Sequence, residues 1–333
     1  MNNTFPVTHS ILSTSSLRAE LLPAYELGSV TECKLINRGL NDTYLVKTQS
    51  EKYILRAYRT DWRSQSDILF ELDVLLHLKR KGIPVSYPLA RKDGQLMQSV
   101  LAPEGIRTIV LFSYAPGKQP NYETPEENQG YRYGKSAAQI HAASDGFQSQ
   151  HQRFALDLEH LLTKPLKSIQ PLLSHRPGDW AYLQALAERL RQDVLKLPLE
   201  KLESGFCHGD FHGGNVHIDQ DGIHTFFDFD CCGMGWRAYD MAIYRWGMCM
   251  EEKDKERWEH FLRGYQEVRQ MNELDLQAVN SFVAIRQFWL MGLHTSNGQD
   301  WGFGWMNDGY FDHSLKFFRQ WEAEQTKENP ATE

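Results

Sequence analysis

The chain has too few cysteines, wrongly arranged, for a disulfide scaffold or a zinc module. There are five, an odd number, with no C-x-x-C pair and no histidines at zinc-finger spacing, so reduced, packed thiols are expected. No run approaches eighteen consecutive apolar residues, which excludes a conventional membrane-spanning helix. The amino-terminal MNNTFPVTHSILSTSSLRAE lacks a basic start followed by an apolar stretch, so no export signal is read and a cytoplasmic location is expected. Basic excess is missing as well. A formal charge of −7 argues against nucleic acid and anionic membranes as partners and tilts weakly toward a cationic one. Internal repeats and low-complexity tracts are absent.

What is present is globular material: 333 residues, 41% hydrophobic and 24% charged, enough for one large domain or two unequal lobes. From Ser29 to about Tyr58, VTECKLI, DTYLVKT and EKYILRAY alternate and are separated by the turns NRGLN and QSE, which predicts three antiparallel strands. SDILFELDVLLHLKRKG has helical spacing with Gly82 as its stop, and IPVSYPLA, an Asp93–Gly94 turn and the apolar strand TIVLFSY follow. Beyond APGKQP the periods lengthen. Thr124, Pro125 and Glu127 form a capping-box start for a helix ending near Ala143. Further helices are predicted near Asp179–Leu195, Lys253–Met271, Asp275–His294 and His313–Glu324, with KENPATE as a frayed tail. Only FCHGDFHGGNVHI and HTFFDFD interrupt them, and two strand-and-loop segments among helices read as a site.

Phosphoryl transfer asks the protein for a carboxylate to orient and deprotonate the attacking hydroxyl, and for oxygen ligands that hold magnesium on the phosphates. HGDFHGGN supplies both in one loop: Asp210 can accept a proton and Asn215 can offer an amide oxygen, at the D-x-x-x-x-N spacing of a kinase catalytic loop. Asp228 ends the apolar run of FFDFD, where a second magnesium ligand is wanted. Five fixed positions in H-G-D-x-H-x-x-N would arise by chance roughly once in 10⁶ positions. His208 either orients the loop or touches substrate, and His212 is similar. Asp230 is a metal or substrate contact, or a turn acid. His141, in AAQIHAA, reads as a packed core histidine, and Cys231 and Cys232 as packing residues.

HGDFHGGN at His208–Asn215, FFDFD at Phe226–Asp230 and RAYDMA at Arg237–Ala242 together resemble the aminoglycoside phosphotransferase and choline kinase group, which includes type II homoserine kinases and bacterial stress-response kinases. The resemblance implies an α+β, two-lobed, protein-kinase-like fold: a nucleotide-binding lobe of antiparallel sheet and one helix over residues 1–114, and a mainly helical lobe carrying the catalytic loop and acceptor site over 115–333. It implies ATP and Mg²⁺ as cofactors, Asp210 as base, Asn215 and Asp228 as magnesium ligands, and Asp240 as a brace for the loop. The first hairpin then stands where a phosphate-covering loop belongs, so that main-chain groups around Gly39, Leu40 and Asn41 would reach the β-phosphate while Asp42 points away. Arg56 stands where lysine is usual for the α- and β-phosphates, an exchange that keeps charge and permits bidentate contact. Glu71 is its candidate partner. Ser113 and Ala115 would form the hinge for adenine.

The acceptor side is less determined. Trp301 and Trp305, with Asp300, Asp308 and Asp312 nearby, suit a cation, or else pack helices and solvate a loop. The leading reading is a kinase acting on a hydroxyl of an amino alcohol, a homoserine-like amino acid or an aminoglycoside. A Ser/Thr protein kinase of the stress-response kind and a nucleotide-binding pseudokinase are the alternatives, with a metal hydrolase more remote. Oligomeric state is not read.

Overall fold

The computed structural model describes residues 5–120, 129–251 and 255–328. The capping box at Thr124–Glu127 and the last residues of the tail lie outside them. The chain divides into two compact units, one of Met1–Pro120, Gly146–Arg153 and Gly214–Asp230, the other of Asn121–Asp145, Phe154–Gly213 and Cys231–Glu333. Among the described residues no helix is long and apolar enough to cross a membrane.

The first unit is built on an antiparallel sheet of β1 (Glu32–Arg38), β2 (Asn41–Lys47), β3 (Lys52–Tyr58), β4 (Met97–Ala102) and β5 (Gly105–Ser113), in spatial order β1-β2-β3-β5-β4. The three strands predicted before Tyr58 are present, and most of TIVLFSY lies in β5. MQSVLA has no alternation of its own. Pairing with β5, from Met97 opposite Val110 to Ala102 opposite Gly105, makes it β4.

Because strand side chains alternate, each face has one task. Tyr53, Leu55 and Ala57 of β3 join Tyr44, Val46, Ile109 and Leu111 in a core covered by Leu17, Leu22 and Tyr25 of the amino-terminal segment. Ile54, Arg56 and Tyr58 take the other face. There the register sets Asn37 opposite Thr43 and Thr43 opposite Arg56, a single row across three strands. The helix Gln65–Arg80 meets this face, buries Ile68, Leu72, Leu75 and Leu78, and presents Glu71 to Arg56 and Tyr58. Its start is a capping box: the Ser64 hydroxyl accepts from the Asp67 N–H, and the Asp67 carboxylate accepts from the Ser64 N–H. Gly82, at φ 76°, ends it as expected.

A short hairpin of Val216–Ile218 and His224–Phe226 completes this unit. It is stitched to the strand-like IPVSYPLA segment by the Ser86 N–H to Phe226 carbonyl and Phe226 N–H to Pro84 carbonyl bonds, and to Lys118 by two main-chain bonds with Ile218. Gly117 is required there, since a Cβ would run into the Ile218 carbonyl.

The second unit is mainly helical. The Glu273–Ser296 helix, capped by the Asn272 side chain, buries residues around most of its girth, including Val279, Phe282, Ile285, Phe288 and Met291. At roughly 1.5–3 kcal/mol for each such side chain, it is the unit's main source of apolar stabilisation. The Arg237–Glu251 helix packs against it. A small sheet has Gly233–Trp236 at its centre, parallel to Ala155–Leu156 and antiparallel to Ser204–Cys207. The helices predicted at Asp179–Leu195 and His313–Glu324 are Pro177–Leu195 and Asp308–Glu328, each extended at its polar start. Gln129–Ala143 and Lys255–Val268 pack through glycines: a Cβ on Gly134 would meet the Phe261 carbonyl, and one on Gly264 the Tyr131 carbonyl.

Gly134→Ala is therefore expected to destabilise the fold by about 1–3 kcal/mol through overpacking, against the ~1 kcal/mol that alanine gains at an unconstrained helix position. Denaturant melts check this, and a variant as stable as wild type would mean that the two helices separate freely.

Candidate active site

The first unit contains a cavity of about 470 Å³. It is open on the row Asn37, Thr43 and Arg56, is floored by Ile54 and Phe112, and also takes in Glu71, Ala115, Asn215 and Asp228. The guanidinium of Arg56, 7% exposed, organises its polar end. Nη1 donates to Glu71 Oε1 at 2.7 Å, and Nη2 to Asp228 Oδ1 at 2.9 Å. Tyr58 donates its hydroxyl to the other Glu71 oxygen at 2.8 Å. Burial raises the Glu71 carboxyl, and Arg56 opposes that shift. Glu71 is fully buried and not solvent-facing. Asp228 holds φ 62°, a left-handed conformation costing a non-glycine residue roughly 1–2 kcal/mol.

Asp230 is turned elsewhere. Its carboxylate accepts from Trp62 Nε1 at 2.7 Å and from Arg63 Nε at 3.3 Å, and its carbonyl accepts from Arg63 and Arg153. Burial would raise this carboxyl, but Arg63, with Arg56 and Arg153, holds it below the usual carboxylate range. The hinge residues differ from one another. The Ser113 N–H donates to the Tyr87 carbonyl and its own carbonyl accepts from the Ser86 hydroxyl. The Ala115 carbonyl accepts from His217 Nδ1 at 2.7 Å, while among the described residues its N–H has no main-chain partner. Gly39, Leu40 and Asn41 form the tip of the first hairpin and do not line the cavity. Asn41 is buried and its side chain accepts from the Arg59 N–H at 3.3 Å. Asp42 points away as expected, paired with Arg107 at 2.8 Å and His9 at 3.1 Å.

In the second unit, Gly209 (φ 76°) lets the chain pass where a Cβ would strike the Cys231 carbonyl, and so sets the entry to Asp210. Asp240 anchors this entry. Its carboxylate accepts from the His208 N–H at 2.7 Å and the Gly209 N–H at 2.8 Å, and pairs with His141 Nε2 at 3.0 Å. His141, in turn, meets the Tyr265 hydroxyl, and burial lowers its pKa, keeping it neutral. His208 is buried, and its Nδ1 accepts from the Asp210 N–H at 3.3 Å, an orienting contact. Arg286 Nη2 donates to Asp210 Oδ1, and His212 Nε2 lies 3.4 Å from Oδ2. Burial would raise the Asp210 carboxyl, but Arg286 foremost, then His212, holds it far below the ordinary range.

On the same helix as Arg286, His294 Nδ1 bonds the Tyr310 hydroxyl at 2.9 Å, with the rings of Trp305 and Trp301 edge-on at 5.0 and 6.2 Å. Burial, aided by Arg286, lowers His294 to about 4. Asp308 and Asp312 are spent on Arg176, with His175 also on Asp308.

The structure thus gathers Arg56, Glu71, Ala115, Asn215 and Asp228 in one cavity, leaves Gly39, Leu40, Asn41, Ser113 and Asp230 off its lining, and sets Asp210 with His208 in the second unit. Sequence reading misses Asn37 and Thr43, which counting the strand register outward from Arg56 would have found, and Tyr58, two residues along the same strand. It also misses Arg286. The signal was there, since a lone arginine inside SFVAIRQFWLMG needs a buried partner.

An antiparallel sheet with one helix, a helical remainder, and these carboxylates on their loops define a phosphotransferase of the kinase-like α+β class. The model of the APH phosphotransferase enzyme family matches residues 32–274, and the chain belongs to that family. An uncharacterized protein of Deinococcus radiodurans is 38% identical over 322 residues, covering 96% of this chain and 92% of the relative. A homoserine kinase of Agrobacterium fabrum is 28% identical over 265 residues, 78% of each chain. The solved structure of amicoumacin kinase hAmiN in complex with AMP-PNP, Ca²⁺ and Ami superposes with a TM-score of 0.71 at 21% identity, covering 88% of each chain, a likeness of fold. The protein is accordingly an enzyme, a kinase.

Asp240→Ala strands three buried donors, and the expected loss is about 3 kcal/mol or more, with Asp240→Asn losing less. Chemical denaturation of the two variants checks the order.

Proposed function

We propose that the protein transfers the γ-phosphoryl group of ATP to a hydroxyl of a small molecule. The observation that carries this reading is the cavity where Arg56, Asn215 and Asp228 meet. Its volume, about 470 Å³, is that of a small-molecule site, and its lining is divided. Ile54, Phe112 and Ala115 suit the base, with the Ala115 N–H as adenine donor. Arg56, Asn37 and Thr43 suit the phosphates. An amide oxygen and a carboxylate are the hard donors that magnesium takes beside phosphate oxygens, so Asn215 and Asp228 would hold the ion. Bound there, it would supply charge neutralisation on the phosphates. Arg56 would turn one nitrogen from Asp228 to a phosphate oxygen and keep Glu71 as its anchor.

In the transfer, the acceptor oxygen bonds to the γ-phosphorus as the bridging bond to the β-phosphate breaks, ADP leaves, and Asp210 orients the acceptor and takes its proton. Asp230 then serves as a brace through Trp62 and Arg63. The acceptor class proposed is a hydroxylated amine or amino acid, supported by the homoserine kinase relative, with Trp301, Trp305 and His294 on the acceptor side.

ATP consumption against a panel of homoserine, amino alcohols, aminoglycosides and Ser/Thr peptides tests the reading. Asp210→Asn is expected to lower kcat by about 10²–10⁴ while ATP still raises its melting temperature. A wild-type protein inert over the whole panel overturns it, and turnover confined to peptides transfers the assignment to protein substrates.

A further inference from the structure

Arg286 is the most deeply placed cation beside the proposed base, and neither motif nor role accounts for it. It is 2% exposed. Its guanidinium carbon lies 4.4 Å from the Trp289 ring centroid and 5.5 Å from that of Trp246. Both indoles are tethered: Trp246 Nε1 donates to Gln287 at 2.9 Å and Trp289 Nε1 to His160 at 3.4 Å. The fork held this way reaches two points of one loop, Asp210 Oδ1 and the Gly209 carbonyl, the latter at 3.5 Å. Asp210 Oδ2 has His212, a partly exposed side chain, 3.4 Å away. The other titratable groups around this pair are His208 on the same loop, Tyr239 and Asp240 on the Arg237–Glu251 helix, Cys231, and His294 farther along the arginine's own helix.

We propose that Arg286 is a positioning residue that makes the two oxygens of Asp210 unequal: it holds Oδ1 and turns Oδ2, on the His212 side, toward the acceptor hydroxyl. A guanidinium packed against two tethered indoles has little freedom to swing, so the carboxylate rotamer is set by a helix instead of by the loop that carries it. The inference rests on Asp210 being the base. Its consequence is a reaction in which acceptor geometry, more than proton affinity, determines the rate. That matches a loose phosphoryl-transfer transition state, in which the attacking oxygen loses its proton late.

Two measurements test it. In carbon-detected NMR of protein carrying ¹³C-labelled aspartate, with the Asp210 signal assigned from Asp210→Asn, the wild-type carboxyl is expected not to titrate between about pH 8 and 4.5. In Arg286→Met, burial without its counter-charge moves the midpoint above the ordinary value of about 3.9 and into that window. A carboxyl equally flat in the variant overturns the proposal. The second measurement is MgATP hydrolysis with water as the acceptor. Arg286→Ala is expected to lose roughly 100-fold in kcat, to keep its KM for ATP within about twofold, and to regain activity with added guanidinium ion, while Arg286→Lys loses less. Unchanged kcat, or loss that guanidinium leaves unrestored together with a raised KM, overturns it. Absence of wild-type turnover would count against the phosphotransfer reading alone, and the NMR result then decides the role of Arg286.

Discussion

A carboxylate withdrawn from water must be given a cation or several donors, or it stops being a carboxylate. Both units of this protein are organised around that constraint, and each meets it with a buried arginine. In the first, Arg56 spans Glu71 of the helix and Asp228 of the FFDFD segment. In the second, Arg286 holds Asp210 from the longest helix among the described residues. Neither pair counts for much as simple stability, since burying the arginine offsets much of the attraction. What the pairs supply is position: Asp228 and Asp210, the acids to which the proposed chemistry is assigned, are fixed to regular elements.

The alternation of the sheet carries this through the first unit. One face of β3 is committed to apolar packing, so the polar residues of the opposite face accumulate in one row, and a single row of three neighbouring strands lines the cavity. The same logic accounts for Asp42 and Arg107. They sit buried beside the hairpin tip, locking it to the amino-terminal segment through Ser10 and His9, so the cavity-facing surface is left to Asn37 and Thr43.

Much of this was legible in the residues, for physical reasons. HGDFHGGN and FFDFD could be read because the chemistry demands particular side chains at particular spacings. The strands before Tyr58 and the helix ending at Gly82 could be read because burial imposes a period. β4 could not, because MQSVLA shows no alternation of its own and is defined by its pairing with β5. The tip residues Gly39 to Asn41 drew attention as the turn-prone part of the hairpin, yet the cavity is lined by the flanks, whose placement depends on a register that local sequence does not display. Arg286 lay outside every motif. Its partner is distant along the chain, and only packing brings the two together.

The backbone at Asp228 adds a constraint of a different kind. With φ at 62°, the position tolerates glycine and asparagine and resists most other residues, while the metal-holding role proposed for it asks for an acid. Shape and chemistry therefore agree on aspartate but diverge in what they would accept next. A descendant that abandoned catalysis and kept the fold would drift toward asparagine or glycine here, whereas one that kept catalysis would have no alternative. Under the proposed role, the residue at this position in a homologous chain would separate lineages that keep the metal-holding acid from those that keep only the backbone shape.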